Sequence, residues 1–188
     1  MDIFSNVVSI YDSLPKKMLK IKKEAYSISP QMIPTFPSAF FDGAKQRGIC
    51  GCGVYILINE TSQFCIHWNG GKGSNTKAEA MTLTGVLYFC SFLNIRPVSI
   101  FGDSKVMVDF VKKKINISKP HLVGWLNRIR SFWDGMEGFS IYHISRAQNQ
   151  QANYLSKKGL LSSPGFWFVQ VFAEEEIFTI QEFSPPVF

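Results

Sequence analysis

Three carboxylates and one amide stand at the edges of apolar runs in this chain. They are Asp42 in FFDGA, Glu79 in KAEA, Asp103 in FGDSK and Asn153 in NQQAN. Carboxylate and amide oxygens are the ligands that hard divalent cations such as Mg²⁺ prefer. Two ions held by such ligands can grip a phosphodiester from both sides. The spacing therefore predicts one two-metal site built from distant segments, with an amide at its fourth position.

Each acid also has a structural explanation when it is considered alone. Asp42 precedes a glycine and fits a turn, whereas Asp103 fits the N-cap of a following helix. Glu79 fits the last position of a capping box that begins at Thr76. Convergence of all three acids on one edge of an α/β sheet would favour the metal site over these separate roles.

The apolar patterns predict the elements that must position these residues. Three apolar runs separated by turn residues predict three antiparallel strands; they are SAFFDGA, GCGVYILINE and SQFCIHWNG. NTKAEAMTLTGVLYFCSFLN has apolar residues at steps of three and four, which indicates a helix.

The remaining elements alternate between strand and helix. PVSIF and FSIYHI predict strands, and DSKVMVDFVKKK, KPHLVGWLNRIRSFW and AQNQQANYLSKKG predict helices, the last ending at Gly159. This order predicts an α/β fold with a five-stranded mixed sheet, three antiparallel strands followed by two parallel ones, flanked by helices.

The chain divides by composition into three parts. Residues 1–36 hold the basic stretch SLPKKMLKIKKEAY and a proline-rich connector, and we interpret them as an arm or linker. Residues 37–160 are predicted to form one domain. Residues 161–188 form an aromatic-rich extension, in which alternation from Phe166 to Val171 fits either an added strand or a surface for a partner.

Charge and cysteine content limit the class of protein. Twenty basic residues against 14 acidic ones give a formal charge of +6, which favours an anionic partner. No stretch is long and apolar enough to span a bilayer, and the first residues lack a signal-peptide pattern, so we expect an intracellular protein, nuclear or cytoplasmic. The four cysteines lack zinc-site spacing and are expected to be reduced, in strands and one helix.

Four blocks of the sequence resemble the signature blocks of the ribonuclease H superfamily. They are DG with Asp42, SNTKAEA with Glu79, GDS with Asp103, and HISRAQNQQANYLSKKG with Asn153. More narrowly, residues 37–160 resemble the ribonuclease H-like domains of plant non-LTR retrotransposons and of plant proteins derived from them.

The resemblance implies a reaction and a cofactor. Family members hydrolyse the RNA strand of RNA·DNA hybrids with Mg²⁺ or Mn²⁺ bound by four acids. By resemblance Asp42 would bridge two ions, Glu79 and Asp103 would complete the second, and Asn153 would help to hold the ion that activates water.

Neighbouring residues carry over in the same way. Asn75 and Lys77 would contact the minor groove of the hybrid, where a 2′-hydroxyl distinguishes RNA from DNA. Ser104 would lie near the substrate backbone beside Asp103, and Gly43 would lie beside Asp42. Asn149, four residues before Asn153, would orient it.

A few further residues are assigned from the sequence pattern. Lys112, Lys113 and Lys114 fit either phosphate contacts or a solvated helix end. Trp125 and Trp133 share a helical face with leucines and are predicted to lie in the core. His143 is predicted to be a core residue of a strand.

Asn153 departs from the family pattern, because an amide provides no charge and leaves three negative charges for two ions. A lineage with weakened cleavage, a site with higher metal demand and an engineered exchange are all consistent with it. The main hypothesis is a ribonuclease H-type endonuclease weakened by Asn153. The alternative is a non-cleaving module that binds nucleic acid, or a protein through the terminal arms. An exonuclease or resolvase is a third possibility that the SNTKAE block opposes.

Overall fold

Seven strands form one mixed sheet in the computed structural model, which describes residues 35–173 and 176–183. The strands are β1 (Ser38–Gln46), β2 (Ile49–Leu57), β3 (Ser62–Lys72), β4 (Val98–Gly102), β5 (Phe139–His143), β6 (Trp167–Ala173) and β7 (Glu176–Phe183). Their spatial order is β5-β4-β1-β2-β3-β6-β7. The predicted count of five was wrong, because β6 and β7 extend the sheet beyond β3.

Four α-helices connect or cover these strands within the described residues. They are α1 (Asn75–Phe92), α2 (Lys105–Val111), α3 (Val123–Asp134) and α4 (Gln150–Leu161). Short 3₁₀ turns at Pro120–Leu122 and Arg146–Gln148 precede α3 and α4. None of the helices in the described part of the chain has the length and apolar character needed to cross a membrane.

The strand directions match the predicted mixed sheet. β1, β2 and β3 pair antiparallel, β4 runs parallel to β1, and β5 runs parallel to β4. In the register of β1 and β4, Phe41 lies opposite Gly102. Asp42 and Asp103 each follow these residues by one position, so the parallel pairing brings the two acids to adjacent strands at the same level.

The core occupies both faces of the sheet. α1 packs on one face and contributes Leu83, Val86, Leu87 and Cys90, as its periodicity predicted. α4 packs on the other face, where Leu155 belongs to a smaller cluster. All four cysteines are buried and free, and three of them lie in strands and one in α1, as predicted.

Glycines allow the helices to approach the sheet to backbone contact. A Cβ atom at Gly53 would lie 2.2 Å from the Ser156 nitrogen of α4, and one at Gly43 would lie 2.4 Å from Ala78 of α1. Gly159 was wrongly predicted to end α4, since the helix continues to Leu161. Its Cβ would lie 2.5 Å from the Trp68 carbonyl oxygen, so this glycine is needed for packing.

The segment after α4 forms a strand. Trp167, Val169 and Val171 are buried in β6, which pairs antiparallel with β3. Trp167 stacks on Trp68 with 4.3 Å between ring centroids. Residues 1–34, which hold most of the predicted basic arm, lie outside the described residues.

Three residues were predicted to lie in the core, and the prediction is correct for two tryptophans and wrong for one histidine. Trp125 and Trp133 pack partly buried against the core, as predicted. His143 was predicted to be a core residue, but it is exposed. It lies at the end of β5, an edge strand of which only Ile141 is buried, so the strand has little core to enter.

The glycine contacts predict a pair of opposite mutational effects. Gly53→Ala should lower the free energy of unfolding by about 3 kcal/mol, because its methyl group would overlap the α4 backbone. Gly124→Ala is the control, since Gly124 is exposed in α3 and has nothing within 4 Å of its Cβ position. It should leave stability unchanged or raise it by up to about 1 kcal/mol. Urea denaturation measures both, and equal effects would contradict the packing argument.

Candidate metal centre

Three acids from different elements meet at one end of the parallel strands. Asp42 lies within β1, Glu79 in the first turns of α1, and Asp103 directly after β4. One ligand oxygen from each lies within 4.8 Å of those of the others. That separation is short enough for the three carboxylates to share a divalent cation.

The structural alternatives for these acids do not hold. Asp42 lies inside a nine-residue strand, so it is not a turn residue. The N-cap of α1 is Ser74, whose hydroxyl accepts a hydrogen bond from the Lys77 backbone, so Glu79 does not close a capping box with Thr76. Ser104, and not Asp103, is the N-cap of α2.

Burial of mutually repelling carboxylates changes their acidity. Asp42 is 7% exposed, and burial with the nearby Asp103 charge raises its pKa to about 6, although a hydrogen bond from Ser156 opposes this rise. Burial and the charges of Asp42 and Asp103 raise the pKa of Glu79 well above its usual value, against a hydrogen bond from the Gly43 backbone. Both shifts show that no positive charge among the three acids themselves offsets their mutual repulsion.

The segment around α4 provides polar contacts beneath the acids. The Asn149 amide nitrogen donates to the Phe41 carbonyl at 2.8 Å and to Asp103 Oδ1 at 3.1 Å. The Ser156 hydroxyl donates to Asp42 Oδ2. Asn149 was predicted to orient Asn153, but its observed side-chain contacts are with Asp103 and the backbone of β1.

Three buried side-chain oxygens of predicted site residues have no hydrogen-bond partner among the described residues. They are Glu79 Oε2, Asn149 Oδ1 and Asn153 Oδ1. Buried polar oxygens are normally satisfied, because an unpaired one costs roughly 1–3 kcal/mol. Since two of them belong to the predicted ligands Glu79 and Asn153, the residues present fit a bound hard cation such as Mg²⁺ or Mn²⁺.

A groove of about 710 Å³ opens onto the acids. Its lining includes the three acids and the cations Lys45, Arg146 and Lys157, together with Gly43, Ala44, Gln46, Asn75, Leu160 and Leu161. None of the three cations forms an ion pair with any residue that the structure describes. Exposed cations around an acidic centre suit a polyanion whose backbone must pass close to bound metal.

Of the next four predicted site residues, two line this groove and two are not part of its lining. Gly43 and Asn75 belong to its lining. Lys77 donates from Nζ to the Lys72 carbonyl at 2.7 Å at the end of β3. Ser104 begins α2 and its side chain makes no capping hydrogen bond.

The three consecutive lysines are not part of the groove lining. Lys113 forms an ion pair with Asp134 at 3.4 Å, and the Lys112 ammonium lies 5.5 Å from the centre of the Tyr142 ring. Lys114 is exposed beside them. The structure therefore places these lysines on the surface at the end of α2 and not in the groove with the acids.

Sequence reasoning missed four residues that the structure brings to the centre. Lys45, Arg146 and Lys157 are isolated cations that no motif singled out, and Ser156 lies in a helix as an unremarkable small residue. A signal was available for Lys157 and Ser156, because they lie four and three residues after Asn153 and so share its side of α4.

Comparison with known proteins supports the fold. The sequence model described as reverse transcriptase-like matches residues 40–159. No curated protein matches the chain. Many solved structures do match it.

Three ribonucleases H among these structures illustrate the likeness. RNase H1 of the archaeon Halobacterium salinarum is 22% identical, with a TM-score of 0.61, and the match covers 69% of this chain and 100% of that chain. The RNase H domain of a Mycobacterium tuberculosis protein is 18% identical, with a TM-score of 0.59, 66% of this chain covered and 94% of that chain. LC11-RNase H1 was isolated from compost and solved with an RNA/DNA hybrid. It is 19% identical, with a TM-score of 0.60, and the match covers 66% of this chain and 99% of that chain. At these identities the likeness shows a ribonuclease H-like fold.

The raised pKa of Asp42 predicts how stability depends on pH. A carboxyl group that binds its proton more tightly when folded stabilises the protein below its ordinary pKa of 3.8. That contribution is lost as the pH rises through about 6. The melting temperature of the metal-free protein should therefore fall over this range, and Asp42→Asn should flatten the fall.

Added Mn²⁺ should act in the opposite sense. It should raise the melting temperature at about pH 7.5 and much less at about pH 5, because carboxylate ligands must lose their protons to bind. Differential scanning fluorimetry with and without Mn²⁺ measures both effects. An equal Mn²⁺ effect at the two pH values would contradict a carboxylate site.

Proposed function

The chain belongs to the reverse transcriptase-like family, and on that premise we propose that it is a metal-dependent endonuclease that hydrolyses the RNA strand of RNA·DNA hybrids. The observation that carries this proposal is the meeting of Asp42, Glu79 and Asp103 within 4.8 Å, at a groove whose cations form no ion pair in the described part of the chain. The ribonuclease H-like fold around that groove supports it.

The proposed ligands are Asp42, Glu79 and Asp103, with Asn153 as a neutral fourth. A divalent ion bound there would polarise the phosphate and lower the pKa of a bound water. The side chains of the protein would hold the substrate against this centre. Positioning of this kind is a large part of phosphoryl-group chemistry, because a correctly oriented phosphodiester needs little further reorganisation.

Substrate recognition is proposed to come from the groove lining. Lys45, Arg146 and Lys157 would neutralise backbone phosphates on either side of the scissile bond. Asn75, which lines the groove, would hydrogen-bond a 2′-hydroxyl, a group that RNA has and DNA lacks. The LC11 enzyme was solved with an RNA/DNA hybrid, which supports the same substrate class for this chain.

Asn153 is proposed to reduce activity without removing the site. With an amide in place of a carboxylate, the ligand set carries three negative charges, so a second divalent ion would bind less tightly. The amide still offers an oxygen, Oδ1, which is buried and has no hydrogen-bond partner within the described residues. We therefore expect cleavage that needs a high metal concentration.

The second candidate function follows from the same residue. If the missing charge abolishes cleavage, the groove would act as a nucleic-acid-binding surface, or the terminal arms would bind a protein. The finer likeness to domains of plant non-LTR retrotransposons stays a proposal that the SNTKAEA and RAQNQQAN blocks support.

A cleavage assay separates these functions. The full chain with Mn²⁺ should cut the RNA strand of a labelled hybrid and leave duplex DNA intact. Asn153→Asp should raise the rate at about 1 mM Mg²⁺ by at least about 10-fold, because it restores a charged ligand. Asp42→Asn should abolish cutting. A wild-type protein that binds the hybrid but cuts it under no metal condition would support the second function.

The groove cations predict the salt dependence of binding. Arg146→Ala should weaken binding of a hybrid and lower the slope of log affinity against log salt by about 1, because one phosphate contact is lost. Lys157→Ala should behave alike. Arg96→Ala is the control, since Arg96 lies two residues before β4, at the end of that strand away from Asp103. Fluorescence anisotropy with a catalytically silent Asp42→Asn background measures these slopes, and equal losses for Arg96 and Arg146 would contradict the groove.

A further inference from the structure

Ser156 connects α4 directly to the acidic centre. Its side chain is fully buried, and its hydroxyl donates to Asp42 Oδ2. The same hydroxyl lies 2.8 Å from the Asn153 carbonyl oxygen, one turn earlier in α4. It is therefore placed between the backbone of the helix and a predicted metal ligand.

The packing of α4 fixes the position of this hydroxyl. Gly53 lies opposite Asp42 in the pairing of β1 with β2. A Cβ atom at Gly53 would lie only 2.2 Å from the Ser156 nitrogen, so the helix backbone rests on the strand at that residue. Ser156 thus reaches Asp42 across a single glycine, and the contact follows from the main-chain geometry of three elements.

The chemistry of the two acceptors determines where the proton of the hydroxyl points. A serine hydroxyl has one proton, whereas two oxygens lie in front of it. An ionised carboxylate is a stronger acceptor than a peptide carbonyl, because the hydrogen bond is charge-assisted. Ionised Asp42 therefore takes the proton, and its Oδ2 is held while its other oxygen stays available as a ligand.

A different buried hydroxyl shows what a purely structural role looks like. Thr84 in α1 donates to the Ala80 carbonyl of its own helix at 2.8 Å and is equally buried. Ser156 has the same kind of local acceptor but also contacts a carboxylate 114 positions away in the chain. A residue that only packs in the core would not need this second contact with Asp42.

We propose that Ser156 is a positioning residue, whose hydroxyl holds one oxygen of Asp42 and so orients the other for divalent-ion binding. The donor is neutral, so it orients the ligand without cancelling any of the negative charge that attracts the ion. A lysine or arginine at this place would hold the carboxylate equally well but would compete with the metal. This inference rests on the metal site of the proposed function.

The test measures ion affinity apart from catalysis. Isothermal titration calorimetry of Mn²⁺ into the full-length chain should show Ser156→Ala binding about 10-fold more weakly than wild type, as loss of a group that orients a ligand typically does. Thr84→Val is the matched control, because it removes an equally buried helical hydroxyl that contacts no acid. It should shift the melting temperature and leave Mn²⁺ affinity unchanged.

A second variant background with tighter Mn²⁺ binding keeps the loss of affinity measurable. In Asn153→Asp, where the additional charge should tighten binding, adding Ser156→Ala should again cost about 10-fold. Equal Mn²⁺ affinities with and without the Ser156 hydroxyl in both backgrounds would overturn the positioning role. So would an equal loss in Thr84→Val, which would indicate a general effect of destabilising the fold.

The outcomes distinguish this inference from the proposed function. Wild-type protein that binds Mn²⁺ in a Ser156-dependent manner but never cuts a hybrid would support the positioning role of Ser156 and contradict the proposed nuclease function. Protein that cuts a hybrid, with Ser156→Ala binding Mn²⁺ as tightly as wild type, would do the reverse. A chain that binds no Mn²⁺ would overturn both.

Discussion

The contact between the backbone of α4 and the backbone of β2 is the constraint on which the centre depends. Gly51 and Gly53 have no side chain because the α4 main chain lies where their Cβ atoms would be, 2.1 and 2.2 Å from Ser156 atoms. Side chains at these positions would move α4 outward and withdraw Ser156 from Asp42. The chemistry is therefore limited by packing, and the glycines are as necessary for the geometry of the site as the acids themselves.

Electrostatics acts against this packing. Three carboxylates are brought together with hydrogen bonds from neutral donors, and the cations that line the groove form no ion pair with any residue from 35–173 or 176–183. Proteins place unfavourable local interactions at functional sites when the rest of the fold can hold them. Here the paired strands and the helices on both faces of the sheet hold the acids together, and the positive charge of Arg146 opposes the rise in the pKa of Asp42 and Glu79.

The sequence predicted the order of elements and the four blocks because those features are local. Strand alternation, the periodicity of α1 and the short motifs around Asp42, Glu79 and Asp103 are readable without knowing how elements pack. Helical spacing from Asn153 indicated the side of α4 on which Ser156 lies, but its contact with Asp42 was not readable, because that contact depends on how closely α4 approaches β2. The place of Arg146 in the groove was not readable either, because it depends on where the turn before α4 lies. His143 was assigned to the core since its strand is apolar, but β5 is an edge strand with one buried residue. An added strand was one of two alternatives for residues 166–171 and corresponds to β6, but β7 was missed because its segment carries no motif.

The pairing of β6 with β3 also covers a strand that would otherwise be an edge of the sheet. β3 contains Trp68, whose ring is stacked on Trp167 of β6, and its main chain is hydrogen-bonded along seven residue pairs. In a chain shortened after residue 160, β3 would become an open edge with an uncovered tryptophan. Long apolar edges of that kind recruit strands from other molecules. The strand β6 thus protects the edge of β3 from pairing with a second molecule.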